Sequence, residues 1–220
     1  AKRARKSLSL FGDTKQQMNS HGSNIKDIAE GLDSKQMSLD YNYRLPKAIA
    51  KVAQQIIGGG VDLMSNNQKD GGNSDYPNYP KPIITQYANP EKELEGILTR
   101  IQMEDLDDVA ILVPSDKEVM MVNDYLANHG IKTQVMYRTG NTLDFSNNDL
   151  PCILTYYAAK GSEFDNVFVP FANTSNDCSR NSFYVACTRS SRSLYISYSG
   201  TKTKYLSDVN SDFITELKAA

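Results

Sequence analysis

Four short strings in this chain carry residue types that recognise phosphates and planar bases. In the first, Gly12 and Asp13 precede Gln16, whose neutral amide can donate to a phosphate and accept from a water molecule. In the second, Tyr43 and Arg44 join an aromatic face, which suits a planar base, to a guanidinium, which binds phosphate oxygens in a bidentate manner. These side chains favour nucleotide chemistry.

The other two strings lie between residues 155 and 189. One reads Thr155-x-Tyr157-x-x-Lys160-Gly161-Ser162-Glu163-Phe164, and its glycine allows close approach of the backbone. The other reads Arg180-Asn181-x-Phe183-Tyr184-Val185-Ala186-x-Thr188-Arg189-Ser190. Singly, each string also has a structural explanation: an ordinary turn for Lys160-Gly161, and a favourable helix C-terminus for Arg189.

The composition of the chain limits the kinds of site that it could contain. Only two histidines are present, His21 and His129, which argues against a zinc site or a histidine-based triad. The three cysteines, Cys152, Cys178 and Cys187, lack the spacing of metal ligands and indicate reduced thiols in a cytosolic protein. We therefore predict no metal site. The formal net charge of −2 gives no global basic field for a nucleic-acid partner.

The chain of 220 residues is long enough for one domain with a small appendage. It has no signal peptide and no apolar stretch of about 18 residues, so we expect a cytoplasmic protein. It also has no G-x-x-x-x-G-K-[ST] phosphate loop.

The elements that must position these strings form an alternating pattern. Before residue 83 we predict strands at 8–11 and 36–40, a helical turn at 25–29, and a helix with Pro46 in its first turn and an apolar stripe at Ile49, Val52, Ala53 and Ile56. For residues 58–82 we predict a loop. Strands are then predicted at 83–87, 109–113, 131–136, 152–156, 167–171 and 193–198, with helices from Asn89-Pro90, from the Ser115-x-x-Glu118 capping box and at 182–189. This alternation predicts an α/β fold of the RecA-like type, with a mostly parallel sheet and helices on both faces.

In their order along the chain, the four strings resemble motifs III, IV, V and VI of superfamily 1 DNA helicases of the UvrD/Rep type. The resemblance lies in the second, C-terminal RecA-like domain of those motors. It implies catalytic roles for Gln16 as a γ-phosphate sensor, for Arg44 as a γ-phosphate ligand and for Arg189 as an arginine finger.

The resemblance also implies binding residues. Tyr43 would stack on adenine, Gly161 would admit the nucleotide, and Glu163 would accept from a ribose hydroxyl. The remaining residues that it implies would meet nucleic acid, and they are Thr155, Tyr157 and Lys160. The chain departs from the family pattern Thr-x-His-x-x-Lys-Gly-Leu-Glu-Phe, because Tyr157 replaces the histidine and Ser162 replaces the leucine. Tyr157 could stack on a base or donate to a phosphate, and the sequence leaves both roles open.

On this interpretation, residues 1–33 are the end of a first motor domain with motif III, and residues 34–220 are the second RecA-like domain. ATP and Mg²⁺ would be held mainly by an N-terminal helicase domain that carries the phosphate loop. The other partner would be single-stranded DNA or a duplex junction. Two alternatives remain: a non-catalytic RecA-like interaction or regulatory module, and an unrelated doubly wound domain with a small-molecule pocket at its strand ends.

Overall fold

The computed structural model describes residues 12–13, 16–18, 25–32, 37, 45–58, 63, 79–138, 143–144, 149–174 and 178–219. The strands predicted at 8–11 and 36–40 lie outside these residues, apart from Met37. Tyr43 and Arg44, for which nucleotide contacts are predicted, also lie outside them.

The described residues form a seven-stranded sheet in the order β3-β4-β2-β5-β6-β1-β7, in which every pairing between these strands is parallel. The strands are β1 Ile83–Tyr87, β2 Val109–Val113, β3 Gln134–Met136, β4 Cys152–Thr155, β5 Phe164–Val169, β6 Ser190–Ser199 and β7 Thr215–Lys218. Because all strands run the same way, their first residues share one edge, the N-terminal edge, and their last residues share the opposite, C-terminal edge.

Five α-helices accompany the sheet in the described part of the chain. They are α1 Ile25–Gly31, α2 Lys47–Ile57, α3 Pro90–Met103, α4 Asp116–Asn128 and α5 Arg180–Cys187, and two short 3₁₀ helices follow at Lys204–Leu206 and Ser211–Phe213. The Asn89 side chain caps α3 by accepting from the Lys92 N–H at 2.9 Å. Ser115 caps α4, but its hydroxyl accepts from Lys117 N–H and donates to the Glu118 carboxylate, rather than forming the reciprocal pair of a capping box.

The helices cover both faces of the sheet, as β2 illustrates. Ala110 and Leu112 pack in a core with α2 and α5, whereas Val109, Ile111 and Val113 pack in a second core with α3 and α4. Burial on both faces explains why this strand is a continuous apolar run in sequence. The predicted α/β fold, a RecA-like parallel sheet between two layers of helices, is confirmed.

Several element bounds differ from the prediction. β3 spans only Gln134–Met136 of the predicted 131–136, and Pro46 precedes α2 as its N-cap instead of lying in its first turn. β5 and β6 begin earlier than predicted because Phe164 and Ser190 pair with one another in the parallel ladder. The strand β7, which pairs with β1, was not predicted.

Candidate functional site

At the N-terminal edge of the sheet, Arg189 connects α5 to the turn before β5. The guanidinium donates from Nε to the Val185 carbonyl at 3.0 Å and from Nη1 to the Ser162 carbonyl at 3.3 Å. The Arg189 carbonyl accepts from the Phe164 N–H at 3.0 Å. The side chain is only 4% exposed. The strings predicted as motifs V and VI therefore meet at this edge, although 25 positions separate Phe164 from Arg189.

Gly161 and Glu163 lie in the same turn as Ser162, beside Arg189. Gly161 has a φ of +93°, a backbone conformation that side chains with a Cβ disfavour, so this turn requires glycine. Glu163 is exposed and lies close enough to Asp108 to affect its titration. Burial raises the pKa of the Asp108 carboxyl, and the carboxylates of Asp165, Asp107 and Glu163 add to that rise.

At the opposite, C-terminal edge lies a cavity of about 470 Å³. It opens where β2 and β4 end and where α4 and α5 begin. Residues that line it are Met18, Pro114, Ser115, Asp116, Lys117, Arg138, Thr155, Tyr156, Tyr157, Cys178, Ser179 and Ser182. Its volume lies within the range of small-ligand pockets, which start at about 300 Å³. The ends of parallel strands are a common place for ligands in α/β sheets.

Tyr157 is the most exposed aromatic side chain of this cavity, with 39% of its surface accessible. The Arg138 guanidinium lies over its ring, with Cζ 4.9 Å from the ring centroid. The backbone at Arg138 is anchored to the start of α4, because its N–H donates to the Asp116 carboxylate at 2.9 Å. A cation held against an aromatic ring at the mouth of a cavity can accept a base by stacking and a phosphate by charge.

Thr155 and Lys160 occupy different environments. Thr155 is 2% exposed, and its hydroxyl accepts from the Ala158 N–H at 3.1 Å, which stabilises the turn after β4. Lys160 is exposed on that turn, where its N–H donates to the Tyr157 carbonyl at 3.2 Å. A contact between Thr155 and nucleic acid stays a prediction, and the observed hydrogen bond gives the residue a local structural role.

Gln16 is not brought next to Arg189. Its side-chain amide donates to the Asp13 carboxylate at 3.0 Å. The following residue, Gln17, accepts at its carbonyl from the Asn181 side chain at 3.0 Å, at the first turn of α5. Arg189 lies just past the last turn of that helix, so residues 16–18 approach the cavity end of α5 rather than its Arg189 end.

Arg138 and Lys117 line the cavity but were not predicted as site residues. The capping signal at Ser115 marked the start of α4, and a helix start after a parallel strand lies at the C-terminal edge, so Lys117 could have been found. Arg138 had no local signal, because it meets Tyr157 only through the tertiary fold.

The three cysteines are free thiols, in agreement with the prediction from their spacing. Burial raises the pKa of Cys152 to about 11 and raises the pKa of Cys187 further above its usual range. Neither thiol is therefore a nucleophile at neutral pH. In the part of the chain that the structure describes, no group of three or more His, Cys, Asp or Glu side chains could hold a metal ion.

Comparison with known proteins agrees with this fold. Residues 151–197, about a fifth of the chain, match the family profile of the UvrD-like helicase C-terminal domain. The matched segment runs from β4 to β6 and includes both Tyr157 and Arg189. The predicted resemblance to that domain is confirmed over these residues. No protein of curated function matches the chain in sequence.

Among solved structures, the C-terminal domain of a possible DNA helicase from Lactobacillus plantarum WCFS1 is similar, with a TM-score of 0.61 and 24% identity over 80% of this chain and 98% of that one. At that identity the likeness shows the fold. Arterivirus nonstructural protein 10, a helicase solved in complex with DNA, has a TM-score of 0.45 and 11% identity over 62% of this chain and 35% of its own. The chain thus spans about a third of that helicase. Among the described helices, none is long and apolar enough to cross a membrane.

Proposed function

We propose that this chain is the C-terminal motor domain of an ATP-dependent DNA helicase or translocase. The observation that carries the proposal is the course of residues 155–164 across the sheet. They begin beside the cavity at the C-terminal edge and end hydrogen-bonded to Arg189 at the N-terminal edge. One continuous segment thereby joins a surface suited to a nucleic-acid strand to a surface suited to a nucleotide.

On the nucleotide side, Arg189 would stabilise the charge that develops on the transferring γ-phosphoryl group. Glu163, exposed on the neighbouring turn, would accept a hydrogen bond from a ribose hydroxyl. Tyr43 and Arg44 would stack on adenine and bind the γ-phosphate. The phosphate loop and the magnesium ligands would come from an N-terminal helicase domain, because the sequence lacks that loop.

For Arg189 to reach a phosphate, its hydrogen bonds to the Val185 and Ser162 carbonyls must be exchanged or shared. Closure of the two motor domains on ATP would drive that exchange, since a phosphate oxygen is a stronger acceptor than a neutral carbonyl. Gln16 would sense the same phosphate. Its neighbour Gln17 contacts Asn181 at the cavity end of α5, so this role would require Gln16 to approach Arg189 when the two motor domains close.

On the strand side, Tyr157 would stack on a base, and Arg138 and Lys117 would contact phosphates at the cavity mouth. Lys160 and Thr155 would contribute from the turn after β4. The preferred substrate would be single-stranded DNA at a duplex junction. The protein would act in the cytoplasm, where its free thiols stay reduced.

The 220-residue chain by itself is expected to hydrolyse no ATP, with or without single-stranded DNA. The chemistry needs Mg²⁺ and a phosphate loop, which the sequence does not contain. A phosphate-release assay on highly purified protein measures this. Turnover that survives purification and disappears in Arg189→Ala would show that the chain forms a complete active site, contrary to the proposal.

The same chain is expected to bind single-stranded DNA weakly and with a clear dependence on salt, because its net charge is −2 and few cations line the cavity. Tyr157→Ala should weaken binding by about 1–3 kcal/mol, the contribution of one base–aromatic stack. Fluorescence anisotropy with a labelled oligothymidine measures both effects.

The matched control for this test is Tyr125→Ala. Tyr125 lies on α4 and stacks on His129 with ring centroids 4.3 Å apart, and it does not line the cavity. Its removal should leave DNA affinity within about twofold of the unsubstituted chain, a change of under 0.5 kcal/mol. Equal losses in the two variants would mean that Tyr157 has no direct contact with the strand. An unsubstituted chain with no affinity for DNA at low salt would contradict the proposed strand-binding surface.

A further inference from the structure

Next to the cavity, a second aromatic ring is flanked by two cations. The Arg180 guanidinium carbon lies 5.5 Å from the centroid of the Tyr205 ring, and the Lys204 ammonium lies 5.6 Å from it. Arg180 and Lys204 are exposed, and Tyr205 is half-buried. These three residues are called the Tyr205 patch below. The combination of an aromatic ring with a cation therefore occurs twice. Tyr157 lies against Arg138 at the cavity, and Tyr205 lies against two cations beside it.

The Tyr205 patch is connected to the cavity through a row of packed aromatic rings. Tyr156, which lines the cavity, contacts Phe183 edge-on with centroids 6.4 Å apart, and Phe183 packs against Tyr205 at 6.0 Å. The Tyr205 hydroxyl donates to the carbonyl of Cys178, another cavity residue, at 3.0 Å. The patch is therefore contiguous with the cavity and held in a fixed position relative to it.

Among the described residues, the two cations lie against an aromatic ring rather than against carboxylates. Neither Arg180 nor Lys204 forms an ion pair with a carboxylate in the described parts of the chain. Gly58 provides room for the guanidinium, since a Cβ at that position would lie 3.1 Å from Arg180 Nη1. By contrast Lys202, two residues before Lys204, is paired with Glu216 at 2.9 Å. The described residues thus leave the charge of the patch open to an external anion.

We infer that the Tyr205 patch is a second contact for the single strand, next to the cavity. Arg180 and Lys204 bind successive phosphates, and Tyr205 is a positioning residue that holds both cations over its ring and so lowers the entropy lost when they bind. This inference rests on the proposed function and extends its binding surface past the start of α5. A strand is the fitting partner because the patch adjoins the proposed strand-binding cavity and repeats its combination of an aromatic ring with cations.

The test is salt-dependent anisotropy on the 220-residue chain with a labelled oligothymidine of about 20 nucleotides, longer than the sites of single-strand-binding folds. Arg180→Gln and Lys204→Gln should each weaken binding about threefold to tenfold near 50 mM salt. Each should also lower the slope of log affinity against log salt by about 0.7, the value for one lost phosphate contact on a single strand. Tyr205→Leu should weaken binding without removing a charge, whereas Tyr205→Phe, which keeps the ring, should retain most of the affinity.

Lys202→Gln is the matched control, because it removes the same charge from the same segment at a residue that is already paired. Its salt slope should equal that of the unsubstituted chain. A patch double variant, Arg180→Gln with Lys204→Gln, that keeps the full slope while Tyr157→Ala loses affinity would overturn this inference and leave the proposed function standing. A uniform loss in Lys202→Gln and both patch variants would also overturn it, since only overall charge would then matter. Absence of binding by the unsubstituted chain would overturn both proposals.

Discussion

Replacing Arg189 with alanine is expected to lower ATP turnover about 10³- to 10⁵-fold once this domain is joined to one that carries a phosphate loop. The guanidinium would meet charge that develops only in the transition state, so its loss should reduce the rate of the chemical step much more than ATP binding. Tyr43→Ala should do the reverse. Stacking on adenine is present before and during the reaction, so the loss should raise the ATP concentration needed and leave saturated turnover closer to normal.

Steady-state kinetics with saturating single-stranded DNA separates the two variants. Arg192→Ala is the control for Arg189→Ala, because Arg192 is an exposed arginine only three residues further on, in β6. Arg189→Ala also removes the guanidinium's hydrogen bonds at the end of α5, so its melting temperature must be measured beside its turnover. If Arg189→Ala folds and changes only the apparent affinity for ATP, the arginine-finger role has to be withdrawn.

Replacing Glu93 with alanine is expected to destabilise the fold by about 2–4 kcal/mol. Glu93 is fully buried in α3 and its Oε2 accepts from the Phe171 N–H at 2.9 Å and from the Ser197 hydroxyl at 2.8 Å. Alanine would leave both donors buried without this acceptor. Phe171 is also held at a φ of +59°, an uncommon conformation for a residue with a bulky side chain, and the hydrogen bond from its N–H helps to maintain it.

The pH dependence of stability distinguishes the charge of Glu93 from its hydrogen bonds. Burial raises the pKa of this carboxyl, although the hydrogen bonds that it accepts oppose the rise, and Oε1 is buried without a hydrogen-bond partner in the described residues. The folded state therefore holds the proton more tightly than the unfolded state. Stability should fall as pH rises from the usual glutamate pKa through the raised one, by at most about 1.4 kcal/mol per pH unit.

Denaturant unfolding of the unsubstituted chain and Glu93→Gln at several pH values between about 4.5 and 8 tests this, because glutamine keeps an acceptor and cannot ionise. The difference in stability between the two should change with pH in the direction given above. Glu95→Gln is the control on the same helix, where Glu95 is exposed and paired with Lys92. A constant difference between Glu93→Gln and the unsubstituted chain would show that Glu93 titrates alike in the folded and unfolded states.

The parts of the fold that sequence predicted are those with a strong local pattern. β2 matches its predicted bounds because an apolar run buried on both faces is conspicuous in sequence, and α3 begins at the predicted asparagine cap. β1 also matches its predicted bounds, although only Ile84 and Thr85 of its residues are buried. β7 was not predicted because it lacks such a pattern. All four of its residues are exposed, and it is a strand only because its backbone pairs with β1.

The residues of the candidate site also differ in whether the sequence could predict them. Arg189 and the turn containing Glu163 could be predicted because each belongs to a contiguous string, and the parallel sheet then brings the two strings to one edge. Arg138 and Tyr205 could not. Each is a lone side chain whose partner lies elsewhere in the chain, so only the folded structure shows that Arg138 meets Tyr157 and that Tyr205 meets Arg180.

In the proposed motor, the helix α5 would have a mechanical role. Asn181 in its first turn holds Gln17, and Arg189 follows its last turn, so its two ends stand about 12 Å apart at 1.5 Å per residue. The five residues from Phe183 to Cys187 are all buried, so packing around them resists bending of the helix. A helix that resists bending moves as a rigid body, so a displacement at one end also moves the other end. In the proposed motor, a displacement of one nucleotide, about 3.4 Å, would therefore reach the Arg189 end with little loss, and α5 would couple the position of the strand to the position of Arg189.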